Sequence, residues 1–193
     1  MSSRWPSLAI AGFLILVPPA WSPPPLDSVD LYLKPRLSWA MSELKTHHKA
    51  KDKDLEADIS VILDFRKQPA NAALFEEFFD EVEPALAVQG EALGAAWVES
   101  RKKRPFDDKK SITFADLSDQ LKLMAKVRLI SDPSEAVVSI GTKSLITPDF
   151  TFLKIGEKYE IKATKTGFDE KTEHFSPKNR KETVKLKLEK GKQ

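Results

Sequence analysis

The sequence predicts an α+β protein, a small helical bundle followed by an antiparallel β-sandwich. Two observations carry this. Between residues 35 and 121, apolar residues recur at three- and four-residue intervals, the spacing of one helix face. From about residue 122 the period falls to two, and turn-forming residues cut the chain into short runs. A third observation concerns location: a short apolar run near the N-terminus reads as an export signal.

That run is LAIAGFLILV at residues 8–17, preceded by Arg4 and stopped by Pro18 and Pro19. A membrane-spanning helix needs about 20 such residues. A charged start, a short apolar stretch and a breaker instead describe a secretory signal. Ala20-Trp21-Ser22 offers a small-x-small cleavage pattern, with Pro23 directly behind it. Residues 1–22 are therefore expected to be a signal peptide or, uncut, a short membrane anchor. Residues 23–34 are expected to be a proline-rich spacer, 35–121 the helical region and 122–193 the sandwich domain. The spacer would hold the folded part off a membrane.

In the helical region, Pro35 stands at a plausible first helical position. Leu37, Met41, Leu44 and His48 follow on one face. Asp54 is placed to cap a second helix carrying Leu55, Ile59, Ile62, Leu63 and Arg66, which Pro69 ends. Leu74, Phe75, Phe78, Phe79 and Val82 form an aromatic stripe opposite Glu76, Glu77, Asp80, Glu81 and Glu83. Pro84 opens a fourth helix with Leu86, Val88, Leu93 and Trp97. Gly90 and Gly94 weaken that helix or permit close contact with a neighbour. Arg101-Lys102-Lys103-Arg104 closes it, with cations at the favoured end of the dipole. After a polar linker at 105–113, Thr113 and Asp116 resemble a capping box for a helix at 114–121.

The strands read as Val127–Ser131, Ala136–Ile140, Phe150–Leu153, Tyr159–Lys165, Thr172–Phe175 and Thr183–Leu188. Val184, Leu186 and Leu188 face inward in the last of them, and Lys185 and Lys187 face outward. Ser131-Asp132-Pro133-Ser134-Glu135-Ala136, running into a strand that ends at Gly141, resembles the opening of a PEGA domain. Thr147-Pro148, Gly156-Glu157-Lys158-Tyr159 and Lys165-Thr166-Gly167-Phe168 fall in the order of that family's later turns. Residues 126–190 carry the likeness, and the helical region resembles no family. Two departures stand out: Ser134 and Glu135 occupy the naming turn where a glycine is usual at the second position, and Ile146 precedes Thr147-Pro148. The resemblance implies a small all-β domain of envelope proteins that binds glycan or protein, without catalysis.

Charge narrows the partners. Residues 127–193 carry 14 Lys/Arg against 10 Asp/Glu, and residues 27–126 carry 16 against 19. This is no dense basic stripe, so nucleic acid is not expected. With no cysteine, thiolate metal sites and disulfides are excluded. His47-His48 with Glu43 and Asp52 could be written as a metal cluster, but adjacent histidines point about 100° apart on a helix, and a solvated helix end is expected. No phosphate loop or nucleophile elbow occurs. Trp97, Phe106 and Phe168 would stack on sugars if exposed. The candidate partner contacts are Lys162, Lys165, Phe168, Lys185 and Lys187, in a flat, salt-sensitive contact with an anionic polymer or acidic surface. The acidic helical half is one such surface.

The expectation is an exported protein, periplasmic or on the cell surface. It would bind an envelope protein or a surface glycan, need no cofactor, and touch the membrane only through its N-terminal segment. The rivals are an exported enzyme with its site in the helical half and a purely structural spacer.

Overall fold

The structure is a computed structural model, and it describes residues 26–191. The expected signal segment, and the spacer as far as Pro25, lie outside the described residues. Five helices and seven strands in two sheets are described, an α+β arrangement with helices in the N-terminal half and strands in the C-terminal half.

Helix α1 runs Leu26–His48 and so contains Pro35, rather than starting there. The proline removes one ladder hydrogen bond. The helix continues through it because Leu33, Leu37, Ala40 and Leu44, on both sides of the proline, are buried. It ends when Lys49 turns left-handed at φ 54 and the Ala50 N–H reaches back to the Leu44 carbonyl at 3.2 Å. Helix α2, Asp52–Lys67, buries Leu55, Asp58, Ile62 and Phe65. Ile59 and Leu63 are only half-buried, so the inward face is rotated from the one the apolar residues indicated. Asp54 lies inside the helix, not at its cap, and its carboxylate accepts from the Lys51 N–H at 3.4 Å.

Helix α3, Ala73–Glu76, is a single turn. Phe75 and Phe78 are buried, but Val82 is 78% exposed. The chain has left the helix by then, so Val82 is out of phase with the stripe. Helix α4, Ala85–Lys103, is the central element, with every residue from Leu86 to Arg101 buried. Its glycines permit close approach to α1. A Cβ on Gly90 would lie 2.9 Å from Arg36 Cβ, and one on Gly94 would lie 3.3 Å from the Trp39 ring. Helix α5, Phe114–Lys122, opens on the expected capping box: the Thr113 N–H donates to Asp116 Oδ2 at 2.7 Å, and the Asp116 N–H donates to Thr113 Oγ1 at 3.2 Å.

The strands are β1 Met124–Asp132, β2 Val137–Ile140, β3 Lys143–Ile146, β4 Asp149–Lys154, β5 Tyr159–Thr164, β6 Lys171–Phe175 and β7 Lys181–Lys187. They form two sheets, ordered β4-β1-β7 and β3-β2-β5-β6. All pairings are antiparallel except β1 with β7, which is parallel. The chain reaches β7 by leaving the other sheet after β6, so β7 joins β1 without a hairpin. Strand β3, not expected from the sequence, returns from β2 through Gly141 at φ +57.

Ala125, Val127, Leu129, Leu153, Val184 and Leu186 of the first sheet face Val138, Ile140, Ile161 and Ala163 of the second in one apolar core. Met124, Phe150 and Phe152 belong to the helical core instead. The three-stranded sheet is thus a shared middle layer, with helices on one face and the second sheet on the other. Strand β1, expected to be half-buried, is buried on both faces from Met124 to Val127.

The residues that carry the family resemblance hold turns. Ser131 Oγ donates to the Pro133 carbonyl at 2.6 Å and contacts Thr147 Oγ1. The Ala136 N–H donates to Thr147 Oγ1 at 3.0 Å. Lys165 Nζ donates to the Ser134 carbonyl at 2.6 Å. Glu135, at the position where glycine is usual, adopts φ 62, so the turn keeps a left-handed residue without the glycine that favours it.

Candidate binding cleft and basic groove

The junction between helices and sheet is held by charge as well as apolar contact. Lys126, 3% exposed, projects from β1 toward the helices. Its Nζ donates to the Phe78 carbonyl at 3.0 Å and to Glu83 Oε2 at 2.6 Å, and also pairs with Asp80. Arg128 bonds Glu83 Oε1 at 2.9 Å, Lys181 bonds Asp80 Oδ1 at 3.1 Å, and Arg180 pairs with Glu77 at 2.7 Å. The hydrogen bond from Lys126 is the main reason the Asp80 carboxyl is held down at about 2. Three members of the acidic set around α3 therefore meet cations of the β half within one chain.

A second charged cluster ties the helices together. Asp58, fully buried on α2, accepts from Arg101 Nε at 2.7 Å, Arg101 Nη2 at 2.6 Å, Trp97 Nε1 at 2.7 Å and the Ile112 N–H at 3.2 Å. The Arg101 guanidinium lies 4.1 Å from the Phe106 ring centroid. Four donors on one carboxylate meet the condition under which a buried pair persists. Asp58 had no sequence signal beyond its place on an otherwise apolar face. Arg101 stands in a run that the sequence marks only as cations at a helix end.

Where α1 and α4 meet the β2–β3 hairpin and β4, a cleft of about 420 Å³ opens. Trp39, Phe152 and Tyr159 give it aromatic walls, and Glu43, Glu99, Lys102 and Lys154 give it charge. Burial is the main force pushing the Tyr159 phenol up. Its hydroxyl donates to Glu157 Oε2 at 3.0 Å and accepts from the Lys154 N–H at 2.9 Å. Thr142 Oγ1 donates to Glu43 Oε2 at 2.8 Å. Lys143 reaches into the cleft floor, where burial pushes its amine down to about 7, against the pull of Asp149 and Glu43.

Beside it lies a wider groove of about 760 Å³, between the α1–α2 turn and the segment after α4. Lys49, Lys51, Lys53 and Lys109 line it against Asp54 and Asp107. His47 and His48 border both the cleft and the groove, so the two are neighbours. Lys49 and Lys109 both hold left-handed backbone, at φ 54 and φ 53.

The residues singled out from the sequence fall elsewhere. Lys162 lies exposed on the outer face of the four-stranded sheet, while Lys185 and Lys187 lie exposed on the opposite side of the sandwich, on β7. Lys165 is engaged with the Ser134 carbonyl, and Phe168 packs on the sandwich core. The structure does not bring these five together. Trp97 and Phe106 are buried. Of the histidine cluster, Asp52 pairs with Lys45 at 2.6 Å and Glu43 bonds Thr142. Among the described residues no three such side chains converge on one point, and no helix is long and apolar enough to cross a membrane.

No protein-family model matches the chain, and no curated protein matches it.

Proposed function

We propose that the chain is an exported cell-envelope interaction protein that binds an acidic glycan along the neighbouring cleft and groove. On this reading the PEGA-like sandwich supplies one wall of the cleft, and the helical layer supplies the other wall and the whole of the groove. The aromatic cleft takes the faces of sugar rings, and the lysines of the groove meet their carboxylates or phosphates.

The observation that carries the reading is the backbone of Lys49 and Lys109. A non-glycine residue in the left-handed region costs about 1 kcal/mol or more. Glycine would relieve that at both positions, yet both carry lysine and both line one groove. Both positions follow a helix end, where left-handed residues are common, and residues held in that region also cluster at ligand clamps. The anionic-polymer contact expected of the sandwich lysines fits this groove better, because its cations lie on one surface.

The test is binding of the full chain to polygalacturonate, with dextran as the neutral control, at low and high salt. The expected result is retention on the acidic polymer only, lost as salt shortens the reach of exposed charges. Charge reversal at Lys49, Lys51 and Lys53 should abolish it. Equal retention on dextran, or retention that ignores salt, would rule the acidic-glycan reading out. Capture of an acidic protein in place of the polymer would move the reading to a protein partner.

A further inference from the structure

Behind the cleft floor, Lys143 meets a charged partner in an arrangement unlike the other ion pairs of the described residues. Glu91 sits on central helix α4, with its side chain 2% exposed, and Lys143 sits at the start of β3, with its side chain 10% exposed. Lys143 Nζ is in direct contact with Glu91 Oε1, and that oxygen accepts no conventional hydrogen bond. The other polar neighbour of the amine is Thr151 Oγ1, at 2.9 Å. The Trp39 ring lies over Nζ at 4.4 Å, and its buried indole N–H has no acceptor among the described residues. Asp58 shows what a settled buried carboxylate looks like here, with four donors on two oxygens. Among the described residues, no donor but Lys143 meets Glu91 Oε1. A buried ion pair so poorly supplied with further hydrogen bonds has little to offset the desolvation of its charges.

We infer that Lys143 and Glu91 condense to an amide, a covalent cross-link between helix α4 and the β2–β3 hairpin. The neutral amine attacks Cδ of the protonated carboxyl. A C–N bond forms, a C–O bond breaks, and one amine proton leaves with the hydroxyl as water. No oxidant, metal or co-reactant enters. The two groups already touch in a buried site, and burial lowers the Lys143 amine toward the neutral form that attacks. The product relieves what the ion pair leaves open. The amide N–H keeps Thr151 Oγ1 as its acceptor, and the two buried charges are replaced by one neutral group. The bond also gives this cysteine-free chain a staple between helical layer and sandwich, closing a long loop much as a disulfide does.

Tryptic mapping of the denatured full-length protein tests it. Trypsin has no site between Gln68 and Arg101, and it releases Leu129–Lys143 and Ser144–Lys154 only if the Lys143 amine is free. The expected result is a branched peptide joining 68–101 to 129–154, lighter than its two parts by one water. It should vanish in K143R and in E91A and persist in E91Q, where ammonia is the leaving group. Linear 68–101, 129–143 and 144–154 in full yield from the wild-type protein would overturn the inference and leave an ion pair.

Discussion

The two faces of the three-stranded sheet are built on different principles. The face toward the second sheet is dry and apolar, with Val127, Leu129, Val184 and Leu186 packed on Val138, Ile161 and Ala163. The face toward the helices mixes Phe150 and Phe152 with Lys126 and Arg128, whose charges are met by Asp80 and Glu83. The dry face needs only apolar side chains of fitting volume at alternate positions. The charged face needs particular partners from distant parts of the chain. That second requirement joins the two halves, and the cleft and groove open along the same helical side.

The largest expected effect is on the dry face. Leu186→Asp places an unpaired charge in a site 1% exposed, where nothing can hydrogen-bond it. The cooperative melt followed by circular dichroism should be lost. A melt within a few degrees of wild type would mean that this core is not tightly packed.

Lys126→Met probes the charged face and should be milder. Methionine keeps the apolar stem, Asp80 keeps Lys181 and Glu83 keeps Arg128. The loss in urea unfolding should be about 1–3 kcal/mol, below that of a pair left wholly uncompensated. A larger loss would make Lys126 the main tie between the layers.

Acid separates the faces again. The Asp80 carboxyl is held at about 2, below its ordinary 3.8, so the folded state favours its ionised form. Its contribution is complete above the unfolded value and is lost as the pH falls from there through about 2. Wild-type stability should fall across that window more steeply than that of Asp80→Asn. Parallel curves would remove Asp80 from the junction's energetics.

A smaller change is expected at Glu135. It holds φ 62 in the resembling turn, with no role in cleft or groove. Glu135→Gly should stabilise the protein by up to about 1 kcal/mol, read as a raised urea midpoint with unchanged slope.

These contrasts also show what the sequence could reveal. The dry face was legible, since alternation at Val184, Leu186 and Leu188 encodes burial directly. So was the Thr113–Asp116 cap, a local interaction. Gly90 and Gly94 left two readings open, a weakened helix or a close contact, and the close contact is the one found. Helix α4 concealed its central place: it is buried all round, so no stripe distinguishes it, and Gln89, Glu91, Glu99 and Arg101 made it look partly solvated. Strand β3 was missed because Lys143, Ser144, Leu145 and Ile146 show little apolar contrast. Asp58 and Lys126 gave no sign of their burial because the groups that satisfy them lie far away in the chain. The cleft draws on Trp39, Lys102, Lys143 and Tyr159, which no spacing rule connects.

The most direct test of the account is the double variant Lys49→Gly and Lys109→Gly, measured for both stability and binding. The account predicts opposite movements: urea stability equal to or above wild type, by up to about 1 kcal/mol per site as left-handed strain is relieved, with retention on polygalacturonate lost or severely weakened. Unchanged retention, whatever the stability, would contradict the claim that the groove holds lysine at these two positions in order to bind an acidic partner.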